Sequence, residues 1–270
     1  MKSPLLSFLA FFAAVSCAAA AADALRPAWE EAATFLAADA HDAFVKAAAA
    51  PAGPGRREAE LGAAVSLLDL QPRTERKVEE ARESFRKLAE TDPGDEVGLE
   101  ARYFLARIVQ VHQPVPDPAR AEQMYRALFH DSPGSDVGQA ALEKAAILCL
   151  YATAAPAERP ARFAELEQLG AGLSDPAAAG NFHFLLGQAA FQLGLPPEKA
   201  YEHLKRADEI GIVGEDARSL NLIRLGQLAL RLGKKEAAAG YWTAFVQRFP
   251  RDPRNYLIRQ KLAQLGGPLS

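Results

Sequence analysis

Residues 81–108 read ARESFRKLAETDPGDEVGLEARYFLARI, and residues 121–148 read AEQMYRALFHDSPGSDVGQAALEKAAIL. The second stretch repeats the first at an offset of 40 residues. The identical positions are mainly small residues and turn residues: Ala81/Ala121, Arg86/Arg126, Leu88/Leu128, Pro93/Pro133, Gly94/Gly134, Val97/Val137, Gly98/Gly138, Ala101/Ala141 and Ala106/Ala146. Self-similarity at a period of a few tens of residues indicates a stacked-repeat architecture, in which each unit buries its apolar face on its neighbours.

A third copy of the same skeleton lies near the C-terminus, where an Ala, two aromatic residues and a Pro recur as Ala238, Trp242, Phe245 and Pro250. Turns that carry Pro or Gly separate helix-length segments throughout the chain. Ala is abundant, Val, Ile and Thr are sparse, and no period-2 alternation is long enough for a strand. The sequence therefore predicts an all-α chain.

The turns divide the chain into five predicted helix pairs and a terminal helix. These are Glu58–Leu70 with Arg73–Thr91, Asp95–Val111 with Pro118–His130, Ser135–Tyr151 with Pro160–Leu169, Ala177–Leu193 with Glu198–Ile210, Glu215–Leu232 with Lys234–Phe249, and Pro253–Leu265 alone. Short connections make consecutive helices antiparallel neighbours. We predict N-caps at Asp95 and Ser135, and also at the Asp residues that precede Pro: Asp117, Asp175 and Asp252.

The first segment after the N-terminal region reads as one helix from Pro27 to Ala49. Its candidate buried positions are Trp29, Ala33, Leu36, Phe44 and Val45. This helix would either cap the stack or pack beside it. A Pro- and Gly-rich linker ends it, so we divide the chain into residues 1–22, 23–55 and 56–270.

Residues 1–22 have the pattern of a signal peptide. Lys2 supplies a positive charge, residues 5–15 form a short apolar run, and residues 18–22 are the small residues of a cleavage zone. The apolar run is shorter than the roughly 20 residues that span a bilayer. We therefore expect an exported protein, periplasmic or attached to the outer membrane.

The attachment depends on Cys17, one of 2 cysteines in the chain. The sequence Ala13-Ala14-Val15-Ser16-Cys17 resembles a permissive bacterial lipobox, in which Cys17 would be lipidated. The alternative is ordinary cleavage after the Ala20–Ala22 run, which leaves Asp23 first. The second cysteine, Cys149, lies in an apolar stretch and reads as a core residue. Membrane association is expected only through Cys17.

Composition excludes some partners. The chain has 270 residues, of which 49% are hydrophobic, and a formal net charge of −3. It has no long basic run, so no nucleic-acid surface is expected.

The helix pairs resemble tetratricopeptide repeats. Their helices carry a Leu-Gly on the first helix, small and bulky apolar residues on the second, and a closing Pro. The best match is Leu225-Gly226, Gly233, Ala238, Trp242, Phe245 and Pro250, and weaker matches begin at Leu186-Gly187 and Leu61-Gly62. The resemblance implies a right-handed superhelical solenoid of antiparallel helix pairs. The turns at residues 129–135 and 247–252 are similar to those of exported bacterial members, such as outer-membrane assembly lipoproteins and Tol-associated coordinators.

The same resemblance implies a concave groove lined by the first helix of each pair. The candidate groove residues are Tyr103, Arg107, Gln110, Asn181, Phe184, Gln188, Phe191, Gln192, Ile223, Gln227, Leu230 and Arg231. Amides, aromatics and Arg suit an extended peptide, whose main chain needs hydrogen-bond partners and whose side chains need apolar pockets. The alternative is that the two Phe belong to the core and that the amides are only solvated. The Lys and Asn set that clamps a C-terminal carboxylate in chaperone-binding members is not present.

Enzymatic motifs are largely missing from the sequence. The five His show no paired ligand spacing, so no metal is expected, and no cofactor fingerprint occurs. Residues 84–87 read SFRK and match the S-x-x-K tetrad of serine acyl-transferases, but the companion motifs are missing. We therefore predict a non-catalytic adaptor for an envelope protein or peptide. The alternatives are a glycan- or peptidoglycan-binding domain, for which Trp29 and Trp242 are the main aromatic candidates, and a hydrolase based on Ser84.

Overall fold

The computed structural model describes residues 19–50 and 55–266, with side chains from residue 24 onwards. These residues contain no β-strand, which confirms the all-α prediction. Their thirteen α-helices are α1 Ala19–Ala33, α2 Ala37–Ala48, α3 Arg56–Asp69, α4 Glu75–Thr91, α5 Glu96–Arg107, α6 Pro118–Asp131, α7 Asp136–Leu148, α8 Arg159–Gly170, α9 Pro176–Gln192, α10 Pro197–Ile210, α11 Glu215–Arg231, α12 Lys235–Arg248 and α13 Asn255–Gln264. Two π-helical turns, Ile108–His112 and Cys149–Thr153, follow α5 and α7.

The chain divides into two compact units, Met1–Leu148 and Cys149–Ser270. Within each unit, helices that are consecutive in the sequence pack against each other. Cys17 and most of the predicted targeting segment lie outside the described residues, as does the linker at residues 51–54. No helix of the described part combines the length and apolar character that a membrane crossing requires.

The N-terminal segment forms two helices where the sequence indicates one. The break falls at residues 34–36, where the Phe35 main chain turns into the left-handed region with φ of 65°. The Thr34 hydroxyl donates to the carbonyl oxygen of Glu30, which helps to end α1. Leu36 is exposed at the turn, whereas Phe44 is fully buried on α2. No Pro or Gly marks this break, so the sequence gives no warning of it.

The two N-terminal helices pack onto the rest of the first unit through Phe44. A Cβ at Gly62 of α3 would lie 2.5 Å from the Phe44 ring, so the missing side chain lets α2 and α3 approach closely. Gly62 thus packs α3 against the preceding helix, α2. In the repeat pattern it would face the following one.

The duplicated stretch builds the middle of the first unit, and its matched residues perform matched tasks. The Asp95 carboxylate accepts from the Gly98 main-chain N–H at 2.8 Å, and the Ser135 hydroxyl accepts from that of Gly138 at 2.9 Å. These contacts confirm both predicted N-caps. A Cβ at Gly98 would lie 1.8 Å from the main-chain oxygen of Asp92, so no other residue fits beside this turn.

The aromatic positions of the duplication form the core between its helices. Phe85 of α4 stacks on Phe104 of α5 with ring centroids 5.2 Å apart. In the second copy, Tyr125 of α6 replaces the Phe and packs against Tyr103 of α5 at 5.2 Å. Since Phe85 and Tyr125 are both fully buried, the pattern seen in the sequence is a packing pattern.

The second unit repeats the close approach of glycine to a bulky partner. A Cβ at Gly226 of α11 would lie 2.1 Å from Nε1 of Trp242 on α12, and that indole N–H donates to the carbonyl oxygen of Ile223 at 3.3 Å. Gly187 of α9 lies similarly close to Leu204 of α10. Each glycine therefore allows the two helices of its pair to approach closely.

The predicted Asp caps are confirmed at α6 and α9 but not at α13. Asp117 accepts from the Arg120 main-chain N–H at 2.9 Å, and Asp175 accepts from that of Ala178 at 2.7 Å. Asp252 instead binds the main chain and the guanidinium of Arg254, and α13 begins at Asn255. Because Arg254 binds the Asp252 carboxylate, this carboxylate does not cap α13.

Candidate functional site

The first unit contains three of the candidate groove residues, and all three are at least partly buried. Tyr103 is buried among aromatic rings, and Arg107 at the end of α5 is half-buried. Gln110, in the π-helical turn, accepts a hydrogen bond from the Tyr125 hydroxyl at 3.0 Å. Two of these side chains therefore contribute to packing between α5 and α6.

The α9 candidates share one side of the helix, because residues 181, 184, 188 and 191 are spaced by three or four. Asn181 accepts from the Val213 main-chain N–H at 3.1 Å and so fixes the turn before α11. Gln192 accepts from the Tyr151 hydroxyl at 2.9 Å. Phe184 and Phe191 are both half-buried.

Gln188 lies in the middle of this side of α9. Only 7% of it is exposed, yet neither its Oε1 nor its Nε2 has a hydrogen-bond partner among the described residues. A buried amide that lacks partners costs about 1–3 kcal/mol, which a leucine of similar size would avoid. The structure therefore holds an unused donor and an unused acceptor one helical turn from Phe191.

The α11 candidates have different environments. Ile223 is buried in the core with Trp242 and Phe245. Leu230 and Arg231, at the end of the helix, are exposed. Gln227 is half-buried and accepts a hydrogen bond from Arg224 Nη1 at 3.2 Å.

Arg224 was not among the sequence candidates, because the repeat pattern does not assign its position to the groove. Its guanidinium carbon lies 4.1 Å from the centroid of the Phe191 ring, which joins α9 to α11. Its Nε is buried without a hydrogen-bond partner in the described part of the chain. Loss of hydration lowers the pKa of Arg224. We refer to Gln188, Phe191, Gln192, Arg224 and Gln227 together as the α9–α11 face.

A second polar cluster of this unit joins α8, α9 and α10. Glu167 Oε1 accepts from His203 Nε2 at 3.0 Å and from Lys199 Nζ at 2.8 Å, and the Nδ1 atoms of His203 and His183 are 2.9 Å apart. Because His203 Nε2–H donates to the carboxylate, its Nδ1 accepts and His183 Nδ1–H donates. Among the described residues, no three or more His, Cys, Asp or Glu side chains are arranged so that they could hold a metal ion.

Burial also changes the pKa of an acid on α5 in the first unit. Glu100 of α5 is 9% exposed, and burial, followed by the nearby charges of Glu96 and Glu58, raises its pKa to about 8. The counterpart of Glu100 in the second copy of the duplication is Ala140. The acid is therefore not part of the repeated packing pattern.

The alternative functions drawn from the sequence rest on Trp29, Trp242 and Ser84, and each of these side chains makes contacts within the chain. Trp242 is fully buried, and Trp29 donates to Glu58 while its ring packs edge-on against Phe44. The Ser84 hydroxyl donates to the carbonyl oxygen of Glu80 one turn earlier in α4. The geometry favours neither the glycan site nor the hydrolase.

Comparison with protein families adds one match in the second unit. The model of the family described as tetratricopeptide repeat matches residues 221–252, which run from α11 through α12 to the turn that follows. This segment is therefore similar to a tetratricopeptide repeat. No curated protein matches the chain. Among solved structures it is similar to a thermophilic tetratricopeptide-repeat protein of Thermus thermophilus, at 19% identity and a TM-score of 0.42, over 77% of this chain and 98% of that one.

The matched segment, residues 221–252, contains two of the five residues of the α9–α11 face, Arg224 and Gln227. Its packing residues, Gly226, Trp242 and Phe245, point into the helix pair. Arg224 and Gln227 lie on α11 with Gly226 and share a hydrogen bond, and Arg224 contacts Phe191 of α9. The matched segment thus contains residues that pack the helix pair, such as Gly226 and Trp242, and also a residue with an unpaired polar atom, Arg224.

Proposed function

We propose that this protein is a non-catalytic scaffold that binds an extended segment of a partner protein along the α9–α11 face. Tetratricopeptide repeats are built for such contacts, and the observation that carries the proposal here is Gln188. Both polar atoms of this amide are covered and lack partners; when the side chain turns outward, one peptide unit of a ligand can satisfy them with its C=O and N–H. The rings of Phe184 and Phe191, one turn to either side, supply apolar contact for the ligand's side chains.

The test is a selection with a phage-displayed library of random peptides on the purified, immobilised chain. Enriched peptides are resynthesised with a fluorescent label, and their affinities are measured by anisotropy. We expect Gln188→Leu to weaken binding about tenfold, because the ligand's peptide unit then becomes an unpaired buried group. The matched control is Gln247→Leu, the same change on the exposed side of α12, which should leave affinity unchanged.

Two results would remove the proposal. One is a selection that enriches no peptide sequence above an empty surface. The other is a set of peptides that bind wild type, Gln188→Leu and Gln247→Leu equally well, which would place the binding surface elsewhere.

We further propose that the scaffold acts in the bacterial cell envelope, either free in the periplasm or anchored through Cys17. The support is the targeting pattern of residues 1–22 and the resemblance to exported members. Mass spectrometry of the mature N-terminus tests both forms. A diacylated Cys17 identifies the anchored form, an unmodified N-terminus near Asp23 identifies the free form, and an intact Met1 would reject export.

A further inference from the structure

Three glutamates of the first unit lie near one another without a positive partner. Glu96 and Glu100 are four residues apart on α5, so their side chains lie on the same side of the helix. Glu58 of α3 is close to them, because the residue before it, Arg57, forms an ion pair with Asp95 at the start of α5. Among the described residues, no basic side chain pairs with any of the three glutamates.

Glu100 is the most buried of the three. It is 9% exposed, and its carboxyl group makes no hydrogen bond within the described part of the chain. Burying a carboxyl group without a partner is unfavourable, since the group loses water and gains nothing in exchange. The packing of the unit does not require this acid, because the second copy of the duplication has Ala140 at the matched position. The fold alone therefore does not account for Glu100.

The carboxyl group of Glu100 can be reached from outside. Its two oxygens are not fully covered, in contrast to Oε2 of Glu58, which is covered and has no hydrogen-bond partner. The opening is narrow, because so little of Glu100 is exposed. A group that enters must therefore be slender, and the acids around the opening favour one that is positively charged.

From this juxtaposition we infer that the first unit binds a lysine side chain of a partner protein, whose ammonium group pairs with Glu100 while Glu96 and Glu58 add negative charge. This site is separate from the α9–α11 face and does not depend on the binding proposed there. The unbranched stem of lysine suits a narrow opening, and its compact ammonium carries three donors. The planar guanidinium of arginine is wider and holds its donors in one plane.

The charges around Glu100 come from both neighbouring first helices of the unit. Burial, followed by the charges of Glu58 on α3, Asp136 on α7 and Asp95, raises the pKa of Glu96. The positive charge of Arg57 is already paired, since its guanidinium binds Asp95 and the carbonyl oxygen of Leu88. The acids thus favour a cation from both sides of α5.

Binding of lysine releases a proton from Glu100. Burial, followed by the charges of Glu96 and Glu58, raises the pKa of Glu100 to about 8, so its carboxyl group is protonated at pH 7. This proton passes to solvent as the ammonium arrives, and the carboxylate then accepts a charge-assisted hydrogen bond. Between pH 6 and pH 7 the affinity should therefore rise about tenfold, as expected for the loss of one proton on binding.

The experiment uses the full chain and a five-residue peptide, acetylated and amidated, with one central lysine between glycines. A second peptide has norleucine in place of lysine, which keeps most of the stem and removes the ammonium. Titrations at pH 6, 7 and 8 are followed by NMR of protein that carries a 13C label in the glutamate carboxyl groups. We expect the lysine peptide to gain affinity with pH and to lower the pKa of Glu100, and the norleucine peptide not to bind.

Variants assign the effect to one carboxyl group. Glu100→Gln keeps the shape of the side chain but cannot become negative, so it should bind the lysine peptide at least about tenfold more weakly at pH 8 and lose the rise with pH. Glu100→Ala copies the second repeat and should behave in the same way. Glu83→Gln, on the exposed side of α4, is the control and should match wild type. Gln188→Leu should also match wild type, so the two proposed sites fail or succeed separately.

Each remaining outcome overturns the inference. Equal binding of the norleucine peptide would mean that the opening accepts an apolar chain. Unchanged lysine binding in Glu100→Gln would place the ammonium on another acid, and tighter binding of an arginine peptide would reject lysine. Pentylamine or Ca²⁺ binding more tightly than the peptide, with the same dependence on Glu100, would assign the site to a free amine or a metal ion. Absence of binding at about 10 mM peptide would remove the site altogether.

Discussion

Gln110 in the first unit and Gln188 in the second are both amides beside aromatic rings, but only one of them has a partner. Gln110 accepts a hydrogen bond from Tyr125 and so belongs to the packing of α5 against α6. Gln188 is 7% exposed and has no hydrogen bond among the described residues. The two glutamines therefore differ in burial, since Gln110 is only half-buried, and also in the bonding capacity that each has left.

Helix packing, in contrast, follows the same rule in both units. Gly98 in the first unit and Gly226 in the second each leave no space for a Cβ, since the main chain of Asp92 and the indole of Trp242 occupy it. The residues that repeat along the chain are thus the ones that fix the fold. The residues that we propose for ligand binding, Gln188 and Phe191, lie between them and do not repeat.

The largest effect should come from breaking the close packing that the units share. Gly98→Ala places a Cβ against a main-chain oxygen that cannot rotate away, so we expect a loss of about 3 kcal/mol or more in the free energy of unfolding. Gly240→Ala is the matched control, because Gly240 lies within α12 and faces open space. There the helix propensity of Ala should add up to about 1 kcal/mol. Urea unfolding followed by circular dichroism measures both, and equal effects of the two changes would contradict the close approach at residue 98.

The second prediction concerns Glu100, which has no counterpart in the second copy of the duplication, where Ala140 stands. Burial raises the pKa of Glu100 from its ordinary 4.5 to about 8, so the folded state keeps a proton that the unfolded state releases. The free energy of unfolding must therefore fall as pH rises from 4.5 towards 8. Glu100→Gln removes this dependence on pH and should stabilise the protein by about 3 kcal/mol at pH 7, with no gain below pH 4.5.

Urea unfolding of wild type and Glu100→Gln at several pH values between 4 and 8 measures the Glu100 effect. Glu83→Gln, on the exposed side of α4, is the control. A constant difference between wild type and Glu100→Gln across this range would show that Glu100 is ionised in the folded state.

The third prediction concerns the cluster of His183, His203 and Glu167 in the second unit. Burial lowers the pKa of both imidazoles, and for His183 the neighbouring His203 and Arg206 add to this, while Glu167 opposes it at both rings. Lys199 also lowers the pKa of His203, and Glu202 raises it. Below pH 6.5 the unfolded state therefore binds more protons than the folded state. The free energy of unfolding should fall as the pH is lowered through that range.

The measurement for the histidine pair is the thermal midpoint of unfolding at pH 7, 6 and 5. We expect a smaller acid-induced drop in the His183→Gln/His203→Gln double variant than in wild type. His130→Gln changes an exposed histidine and should follow wild type. Identical pH slopes in all three proteins would mean that the pair titrates in the same way when folded and unfolded.

Much of the fold could be predicted from the sequence, because its signals are local. Pro-Gly turns and cap residues such as Asp95 and Ser135 act within a few positions of where they stand, and the structure has them there. The break at Phe35 could not be predicted, since an Ala-rich run without Pro or Gly continues as a helix unless tertiary contacts end it. The sequence predicts Asp252 as the N-cap of α13. In the structure its carboxylate binds the Arg254 guanidinium instead, and sequence spacing does not show that this side chain can reach it.

The candidate site was harder to predict, because its features depend on contacts between helices. The repeat pattern identified Gln188 and Phe191 from their positions on the first helix of a pair. It also selected Ile223, which is part of the core, and passed over Arg224 one residue later. The contact of Arg224 with Phe191 joins residues 33 positions apart, and no periodicity within one helix encodes it.

We expect the smallest effect from the same substitution, Gln to Leu, at Gln110 and at Gln188. Gln110→Leu leaves the Tyr125 hydroxyl without its partner, so we expect it to lower the free energy of unfolding by about 1–2 kcal/mol. Gln188→Leu removes two unpaired polar atoms from a buried position, so it should be neutral or stabilise the protein by up to about 1 kcal/mol. Thermal and urea unfolding of the two variants beside wild type give the comparison. A clear loss of stability in Gln188→Leu would mean that the amide is bonded in the folded protein and is not reserved for a ligand. A gain in stability together with weaker peptide binding is the signature of a residue kept for function at the expense of the fold.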